Sequence, residues 1–352
     1  MIELNGVRDA LAELTAIPPR FFRVPGCVTL LGDETAPADG FALTVACDRA
    51  VVVAYAPRSD DSVNAVVDGR RDARYAELGR SLATAGGADI AMRGTIPPGL
   101  AEATTAAYEV GIALAVLRDR DAAAQALAAG NGRGRRPARA TSLYAERDHA
   151  LLVDARSAEA SRVPLDTREV AIVLCDPRLP DEERGLRAAA RVAACEEAAA
   201  MLRRKLPKVR ALRDVSLADF LRTADTLPEA LQPRVRHIVT ENVRVLQAVA
   251  ALRAGDFAAL GKHMNDSHES LRDDFGAGAP ELDLLAAAAR SAHGVYGARM
   301  TATDGGGAVI ALVRREALAP LRAQLAATAR TTFSRDPTIV DVRPLDGAQS
   351  VG

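Results

Sequence analysis

The sequence predicts a two-domain α+β protein, and three observations support that class. The chain has 352 residues, which is more than one ordinary core needs. Strand-like segments dominate up to about residue 175, and helical patterns dominate after it. Strand-like segments then return near the C-terminal end. We therefore expect an N-terminal mixed α/β domain over residues 1–175 and a helix-rich C-terminal α+β domain with antiparallel strands over residues 176–352.

The N-terminal part begins with an amphipathic helix over residues 4–15, followed by three apolar, β-prone segments. These segments are Phe21–Val24, Val28–Leu31 and Phe41–Ala56. Pro25-Gly26 and the turn-rich stretch 33–40 separate them. Further along, we expect an alanine-rich helix, a flexible basic loop and two strands. Their ranges are about 104–117, 130–137, 149–155 and 169–174.

The C-terminal part carries apolar residues at three- and four-residue spacing, which predicts helices. The predicted helices cover residues 182–204, 216–223, 231–253, 256–272 and 281–293. A strand at 308–313, a helix at 316–327 and a strand at 338–342 complete the pattern.

Composition narrows the function classes. The net charge of −1 argues against nucleic acid or an anionic membrane as a partner of the whole chain. The N-terminal residues lack the pattern of an export signal, and no stretch approaches the ~18 apolar residues of a membrane span. The four cysteines form no C-x-x-C pair or zinc spacing. We expect a monomeric cytoplasmic protein with reduced thiols.

Several motifs in order resemble the galactokinase family of the GHMP kinases. Phe22–Gly32 (FRVPGCVTLLG) is similar to the family's F-R-A-P-G-R-V-N-L-I-G, and His149–Ser157 (HALLVDARS) to its H-A-L-L-I-D-C-R-S strand. Arg236–Asn242, Met264–Phe275 and Gly294–Thr301 resemble the family's C-terminal half. The resemblance covers about residues 20–315 and implies the two-domain GHMP kinase fold.

The resemblance also implies an activity. Galactokinases transfer the γ-phosphoryl group of ATP to the C1 hydroxyl of galactose with magnesium. That transfer requires a phosphate cradle, charge stabilisation and a positioned acceptor. Mg-ATP is therefore the cofactor that the family implies here.

The phosphate cradle of the family, V-P-x-G-A-G-L-S-S-S-A-A-L-E-V, aligns with residues 96–110. The alignment gives Gly99, Thr104, Thr105 and Ala106 as nucleotide-binding residues, with Thr105 as the metal contact. Ala101 replaces a glycine, and the next position, 102, holds a glutamate whose charge would repel a triphosphate.

Two positions that the family uses for chemistry hold inert residues. Counting back eleven residues from His149 places the family's catalytic aspartate at Ala138, which cannot accept a proton. The family's active-site arginine aligns with Cys27, whose neutral thiol supplies no guanidinium donors. We therefore expect no catalytic residue at either position, unless another part of the chain supplies an acid and a guanidinium.

The sugar-binding turn of the family, G-E-H-T-D-Y-N-G-G-F, aligns with Gly32–Phe41 (GDETAPADGF). Asp33, Glu34 and Asp39 are the candidate substrate-binding residues that remain. The family's substrate tyrosine aligns with Ala188, and its M-T-G-G-G-F-G-G motif with Met300–Gly307, where three glycines are replaced. A pocket without these hydroxyl partners should not select a hexose.

Four functions follow from these residues. The first is a galactokinase-like protein without phosphoryl transfer that binds an unidentified small molecule or protein partner. The second is an active kinase on another small molecule, with Asp33, Glu34 or Asp39 as the base. Ordinary galactokinase activity is the third and is the least supported. A hydrolase built on Ser267 and His268 is disfavoured because adjacent helical positions do not face each other.

Overall fold

We describe the protein from a computed structural model, over residues 4–83, 86–130, 132–180, 184–301 and 307–351. For residues 184–187 only the backbone is described. Two β-sheets and eleven α-helices form an α+β fold, as the sequence predicts. In the described part of the chain, no helix combines the length and apolar character that crossing a membrane requires.

The first sheet has eight strands and collects most of the N-terminal half. Its strands are β1 (Arg20–Leu31), β2 (Phe41–Pro57), β3 (Val63–Val67), β4 (Arg70–Arg71), β5 (Ala88–Gly94), β6 (His149–Asp154), β7 (Ala160–Pro164) and β12 (Gln349–Ser350). The order is β12-β1-β2-β5-β3-β4, and β6 pairs with both β2 and β7. β2 is long enough to pair with β5 at one end and with β6 at the other. In the strands described, β3 and β5 are the one parallel pair of this sheet.

Five helices belong to this half of the chain. They are α1 (Leu4–Ala12), α2 (Ala73–Leu82), α3 (Ala101–Leu117), α4 (Arg120–Ala129) and α5 (Arg136–Tyr144). α3 is apolar on nearly all sides and is almost entirely buried, as expected of a helix enclosed by a sheet and other helices. The N-terminus of α3 lies near the turn between β1 and β2, because both line the same cleft.

The second sheet has four antiparallel strands in the order β11-β8-β10-β9. These are β8 (Val170–Asp176), β9 (Val295–Thr301), β10 (Ala308–Arg314) and β11 (Thr338–Val342). The remaining helices are α6 (Arg184–Arg203), α7 (Leu217–Thr223), α8 (Gln232–Arg253), α9 (Phe257–Ser270), α10 (Pro280–Ser291) and α11 (Leu318–Phe333). A short π-helical turn, Leu271–Phe275, extends α9.

Strand β8 contributes to two hydrophobic clusters and so links the two halves of the chain. On β8, Ile172 and Leu174 pack into the cluster that contains the first sheet. Val173 and Cys175, which point to the opposite face, pack with the C-terminal helices. By its hydrogen bonds β8 belongs to the second sheet, where it pairs with β10. The C-terminal strand β12 returns to the first sheet and pairs with β1. A division of the chain at residue 175 stays a prediction.

Two local predictions were wrong for physical reasons. Pro25-Gly26 does not end a strand, because β1 continues through this pair with a register shift between Pro25 and Cys27. Such irregularities are where strands accept proline. The predicted flexible basic loop is instead a 3₁₀ turn, Arg133–Arg135, that leads directly into α5.

The arginines of that segment are not solvated as a group. Arg135 and Arg139 both pair with the buried Glu109 of α3, with closest N–O distances of 2.9 and 2.8 Å. Arg136 donates to the backbone oxygens of Ala155 and Ala128. These contacts explain why an arginine-rich segment forms a packed helix, since the charges of Arg135 and Arg139 are neutralised by Glu109 and Arg136 is satisfied by backbone oxygens.

Candidate functional site: the acidic turn and the adjoining cleft

The acidic turn between β1 and β2 has a defined and tightly packed backbone. Gly32 has a φ of +89°, and a Cβ at this position would lie 2.3 Å from the backbone oxygen of Phe41. Only glycine fits there. The buried hydroxyl of Thr35 lies 2.7 Å from the Phe41 oxygen and 2.9 Å from the Gly32 oxygen. The turn is thus a fixed structure that can orient its side chains.

Two adjacent residues of α8 hold the turn from the other half of the chain. Glu241 accepts hydrogen bonds from the Gly32 backbone N–H at 2.9 Å and from the Ser267 hydroxyl at 2.7 Å. The side-chain oxygen of Asn242 accepts from the Phe41 N–H at 2.8 Å. Both ends of the turn are therefore fixed by side chains about 200 positions further along the sequence.

Glu241 is fully buried and ionised. Burial opposes its ionisation, but His237, Arg244 and Arg299, together with the Ser267 hydroxyl, lower its pKa below the ordinary value. Arg244 also forms an ion pair with this carboxylate. A buried charge held by such contacts stabilises one specific arrangement of the turn.

Two carboxylates of the turn face a cleft, and each is paired with an arginine. Asp33 Oδ2 lies 2.6 Å from Nη1 of Arg299, a fully buried residue of β9. Glu34 Oε1 lies 3.5 Å from Nη2 of Arg191 on α6. The guanidinium group of Arg191 also lies over the ring of Phe275 in the π-helical turn. Neither carboxylate is a free base in this arrangement.

The cleft next to the turn brings together the two positions that the alignment singled out. Cys27 on β1 and Ala138 on α5 both line it, together with Asp33, Glu34 and Glu102. Its volume is about 610 Å³, part of which is open to solvent. The sequence alignment and the geometry thus point to the same location.

The cleft is acidic and lacks a cationic group at its surface. Among the described residues that line it there are three carboxylates and no lysine or arginine. Arg299 supplies a guanidinium from elsewhere in the chain, but it is fully buried behind Asp33 and also donates to the Leu30 oxygen at 3.2 Å. It does not line the cleft as a replacement for the arginine missing at Cys27.

Cys27 is an inert thiol in this environment. It is 4 % exposed, and burial raises the pKa of its thiol to about 12. Because the thiolate is the reactive form, this thiol is a poor nucleophile at neutral pH. The interpretation of Cys27 as a buried, unreactive cysteine is consistent with the geometry.

The turn before α3 is closed by an internal carboxylate. The Gly99 N–H donates to Asp176 Oδ2 at 2.8 Å, and Asp176 is fully buried at the end of β8. A Cβ at Gly99 would lie 2.7 Å from the Asp176 Cγ. The Gly99 N–H is therefore already bonded to a carboxylate and is not available to a phosphate oxygen. Together with Glu102 in the first turn of α3, it makes the segment a poor fit for a triphosphate.

The other predicted nucleotide and metal contacts are not among the residues that line the cleft. Thr104 donates its hydroxyl to the Leu100 oxygen at 3.1 Å, within the helix. Thr105 lies beside the phenol of Tyr75, and Ala106 is fully buried. The assignment of Thr104, Thr105 and Ala106 to Mg-ATP therefore stays a prediction that these contacts do not support. Across the described residues, no group of three or more His, Cys, Asp or Glu side chains could hold a metal ion.

Asp39, the third candidate substrate residue, is directed elsewhere. It is not among the residues lining the cleft, and its Oδ2 lies 3.4 Å from Nε of Arg156. Arg156 in turn pairs with Asp214 at 2.7 Å. The structure thus brings Asp33 and Glu34 together at the cleft but not Asp39. The glycine-rich motif is only partly visible, because residues 302–306 lie outside the described part of the chain.

Ser267 and His268 do not form a nucleophile and base pair. Both are fully buried on α9. Ser267 donates to Glu241, whereas His268 Nδ1 accepts from the Met300 N–H at 3.2 Å. The two side chains serve different partners, which agrees with the expectation from helical geometry.

Sequence reasoning missed the residues that build the site from a distance. Glu241, Asn242, Arg299 and Asp176 contact the turn or the helix start across more than 70 residues of sequence. Three of them lie in motifs that the sequence singled out, but no spacing reveals their partners. One sequence signal for the fourth residue was available, since Asp176 is a carboxylate at the end of an otherwise apolar strand.

Comparison with known proteins first defines the class. The sequence model of the family "GHMP kinases C terminal" matches residues 248–330 of this chain. The sequence model of the galactokinase galactose-binding signature matches residues 13–57. A crystal structure of Lactococcus lactis galactokinase complexed with galactose superposes with a TM-score of 0.86 at 21 % identity, covering 99 % of this chain and 100 % of that one. L. major mevalonate kinase in complex with R-mevalonate gives 0.59 at 14 % identity, covering 92 % and 95 %. The fold is therefore that of the GHMP kinases.

The family follows from a full-length relative. A galactokinase from Roseiflexus sp. is 34 % identical over 100 % of this chain and 98 % of its own length. The chain belongs to the galactokinase family.

Proposed function

We propose that this chain is a galactokinase-family protein without phosphoryl transfer, which acts as a binding or regulatory pseudokinase. The observation that carries the proposal is the convergence of Cys27 and Ala138 in one cleft with no lysine or arginine among its described lining residues. In the family pattern these two positions hold an arginine and the catalytic aspartate. Among the described residues that line it, the cleft offers neither a free proton acceptor nor a cation for the transferring group.

The size of the expected loss follows from the two missing groups. Loss of a positioned general base typically costs about 10²–10⁴ in rate. Loss of one group that stabilises transition-state charge costs about 10²–10³ more. If the two effects act independently, the combined loss is on the order of 10⁴–10⁷.

The surroundings of the cleft support the same proposal. The Gly99 amide is bonded to Asp176, and Glu102 adds a negative charge at the start of α3. Asp33 and Glu34 are paired with arginines, and Asp39 is paired outside the cleft. These pairings disfavour the alternative in which one of the three carboxylates is recruited as the base for another acceptor.

The test measures turnover and binding separately. Purified protein is incubated with Mg-ATP and galactose, and ADP release is followed beside the Roseiflexus sp. galactokinase under identical conditions. We expect a rate at least about 10⁴-fold below that of the relative. A rate within tenfold of the relative would refute the proposal. A screen over other sugars and amino alcohols covers the recruited-base alternative, and any turnover there would also refute it.

A matched variant tests whether Cys27 and Ala138 are responsible for the missing turnover. The double substitution Cys27→Arg and Ala138→Asp restores both family residues, whereas Arg204→Gln, on the exposed surface, serves as the control. Thermal shift with Mg-ATP and with galactose is measured on each protein. A shift in the unmodified protein without turnover would indicate a sensor for that ligand, and its absence would indicate regulation through another ligand or partner.

A further inference from the structure

We propose a second ligand site, next to the acidic cleft, that binds small organic anions carrying an apolar group. The site, called here the arginine pocket, is a cavity of about 580 Å³, partly open to solvent, lined by Arg133, Arg203 and Arg210. Its walls also include Val192, Ala199 and Leu212. This proposal concerns a different cavity from the acidic cleft, and it does not depend on the proposed loss of phosphoryl transfer.

The three arginines differ from their neighbours in the same part of the fold. Arg135 and Arg139 are neutralised by Glu109, and Arg156 by Asp214. Arg133, Arg203 and Arg210, in contrast, form no ion pair with any described residue. Three arginine charges without an ion pair among the described residues thus border this one cavity.

Arg203 organises the pocket. Its Nε donates to the Val209 oxygen at 2.9 Å and its Nη2 to the Arg210 oxygen at 3.0 Å. These bonds fix the segment that carries Arg210, and both acceptors are uncharged, so the charge of Arg203 remains. Arg133, which lines the same cavity, stands at the start of the 3₁₀ turn whose next arginine, Arg135, is directed to Glu109.

The charge balance of the pocket favours an anion. Three arginines face one carboxylate, that of Glu196, which is exposed and also lines the cavity. Guanidinium groups bind carboxylates and phosphates through paired hydrogen bonds. The apolar wall adds a surface that an inorganic ion would leave uncovered, since apolar contact contributes to affinity in proportion to buried area.

The pocket also adjoins the acidic cleft. Pro37 lines both cavities, and the neighbouring residues Arg133 and Gly134 face one cavity each. A ligand in the arginine pocket would therefore contact the turn that holds Asp33 and Glu34. This contact gives such a ligand a physical route to influence the cleft.

The experiment is a calorimetric titration of the unmodified protein with phenyl phosphate, benzoate and inorganic phosphate. We expect saturable binding with one site for phenyl phosphate or benzoate, and weaker binding for inorganic phosphate. The first two probes distinguish a phosphate ester from a carboxylate as the preferred head group. If none of the three binds saturably, the proposal is wrong.

Variants locate the binding. Arg133→Gln and Arg210→Gln alter exposed side chains and should each weaken binding of the preferred probe about tenfold, the expected effect of one charge-assisted contact. Arg204→Gln removes an exposed arginine near the end of α6 that does not line the pocket, and it should leave affinity unchanged. Equal weakening in all three variants would indicate general electrostatic attraction and would overturn the proposal. Circular dichroism of each variant verifies the fold independently.

Discussion

Replacement of Glu241 by alanine should destabilise the protein and loosen the acidic turn at the same time. The side chain is fully buried and accepts from the Gly32 N–H and the Ser267 hydroxyl, and it pairs with Arg244, whose side chain is 14 % exposed. Alanine would leave a buried N–H, a buried hydroxyl and a nearly buried cation without their acceptor.

The magnitude follows from these three losses. A buried donor left without a partner costs about 1–3 kcal/mol, and removing one member of a buried ion pair costs about 3–5 kcal/mol. The contributions overlap, because Arg244 also reaches the Thr240 hydroxyl at 2.8 Å. We expect a loss of about 3–5 kcal/mol in the free energy of unfolding. Glu241→Gln keeps an acceptor for Gly32 and should lose less.

Two measurements test this prediction. Urea unfolding followed by circular dichroism gives the change in stability, and hydrogen–deuterium exchange by mass spectrometry reports on the peptide that covers residues 32–41. Gln247→Ala, an exposed position on the same helix, is the control and should change stability by less than about 0.5 kcal/mol. If Glu241→Ala behaves like this control, or if exchange in the turn is unchanged, the role assigned to Glu241 is wrong.

Three further predictions concern other parts of the fold. Asn242→Ala should speed exchange at the Phe41 amide, its bonded partner, and cost about 1–2 kcal/mol in urea unfolding; unchanged exchange there would contradict the bond. Burial opposes ionisation of Glu109, but its two arginine partners lower its pKa below the ordinary 4.5, so its contribution to stability is present above that value and is lost as the pH falls through the lower folded pKa. The unfolding free energy should therefore drop more steeply as the pH falls below about 4.5 in the unmodified protein than in Glu109→Gln, and parallel curves would refute this. A thiol-reactive chromophore should label native protein slowly and urea-unfolded protein at four sites, because burial raises the pKa of every thiol to about 11 or 12; fast native labelling would contradict it. The four thiols are those of Cys27, Cys47, Cys175 and Cys195.

Most of the C-terminal helices could be predicted within a few residues because their apolar spacing is regular. α8 was expected over 231–253 and runs Gln232–Arg253. The short elements α2, β3 and β5 were missed, since five to ten residues carry little periodic signal.

The site was predicted as positions but not as contacts. The aligned motifs named Cys27, Ala138 and the acidic turn, and of these Cys27, Ala138, Asp33 and Glu34 line one cleft, whereas Asp39 does not. They could not reveal that Asp176 occupies the Gly99 amide, or that Glu109 neutralises two arginines 26 and 30 residues away. Such contacts depend on three-dimensional packing, which a one-dimensional pattern does not encode.

The division of β8 between two hydrophobic clusters limits how the molecule can move. Alternate side chains of one strand anchor both halves, so neither half can rotate without pulling apolar groups out of the other. We therefore expect little hinged closure between the two halves, because a close-packed interior resists such a rotation. A ligand must enter through openings that already exist, and any signal it transmits must travel as small side-chain adjustments. A fragment ending at residue 175 would contain β8 without its neighbours β10 and β11. Both edges of this apolar strand would then be unpaired, and we expect such a fragment to aggregate.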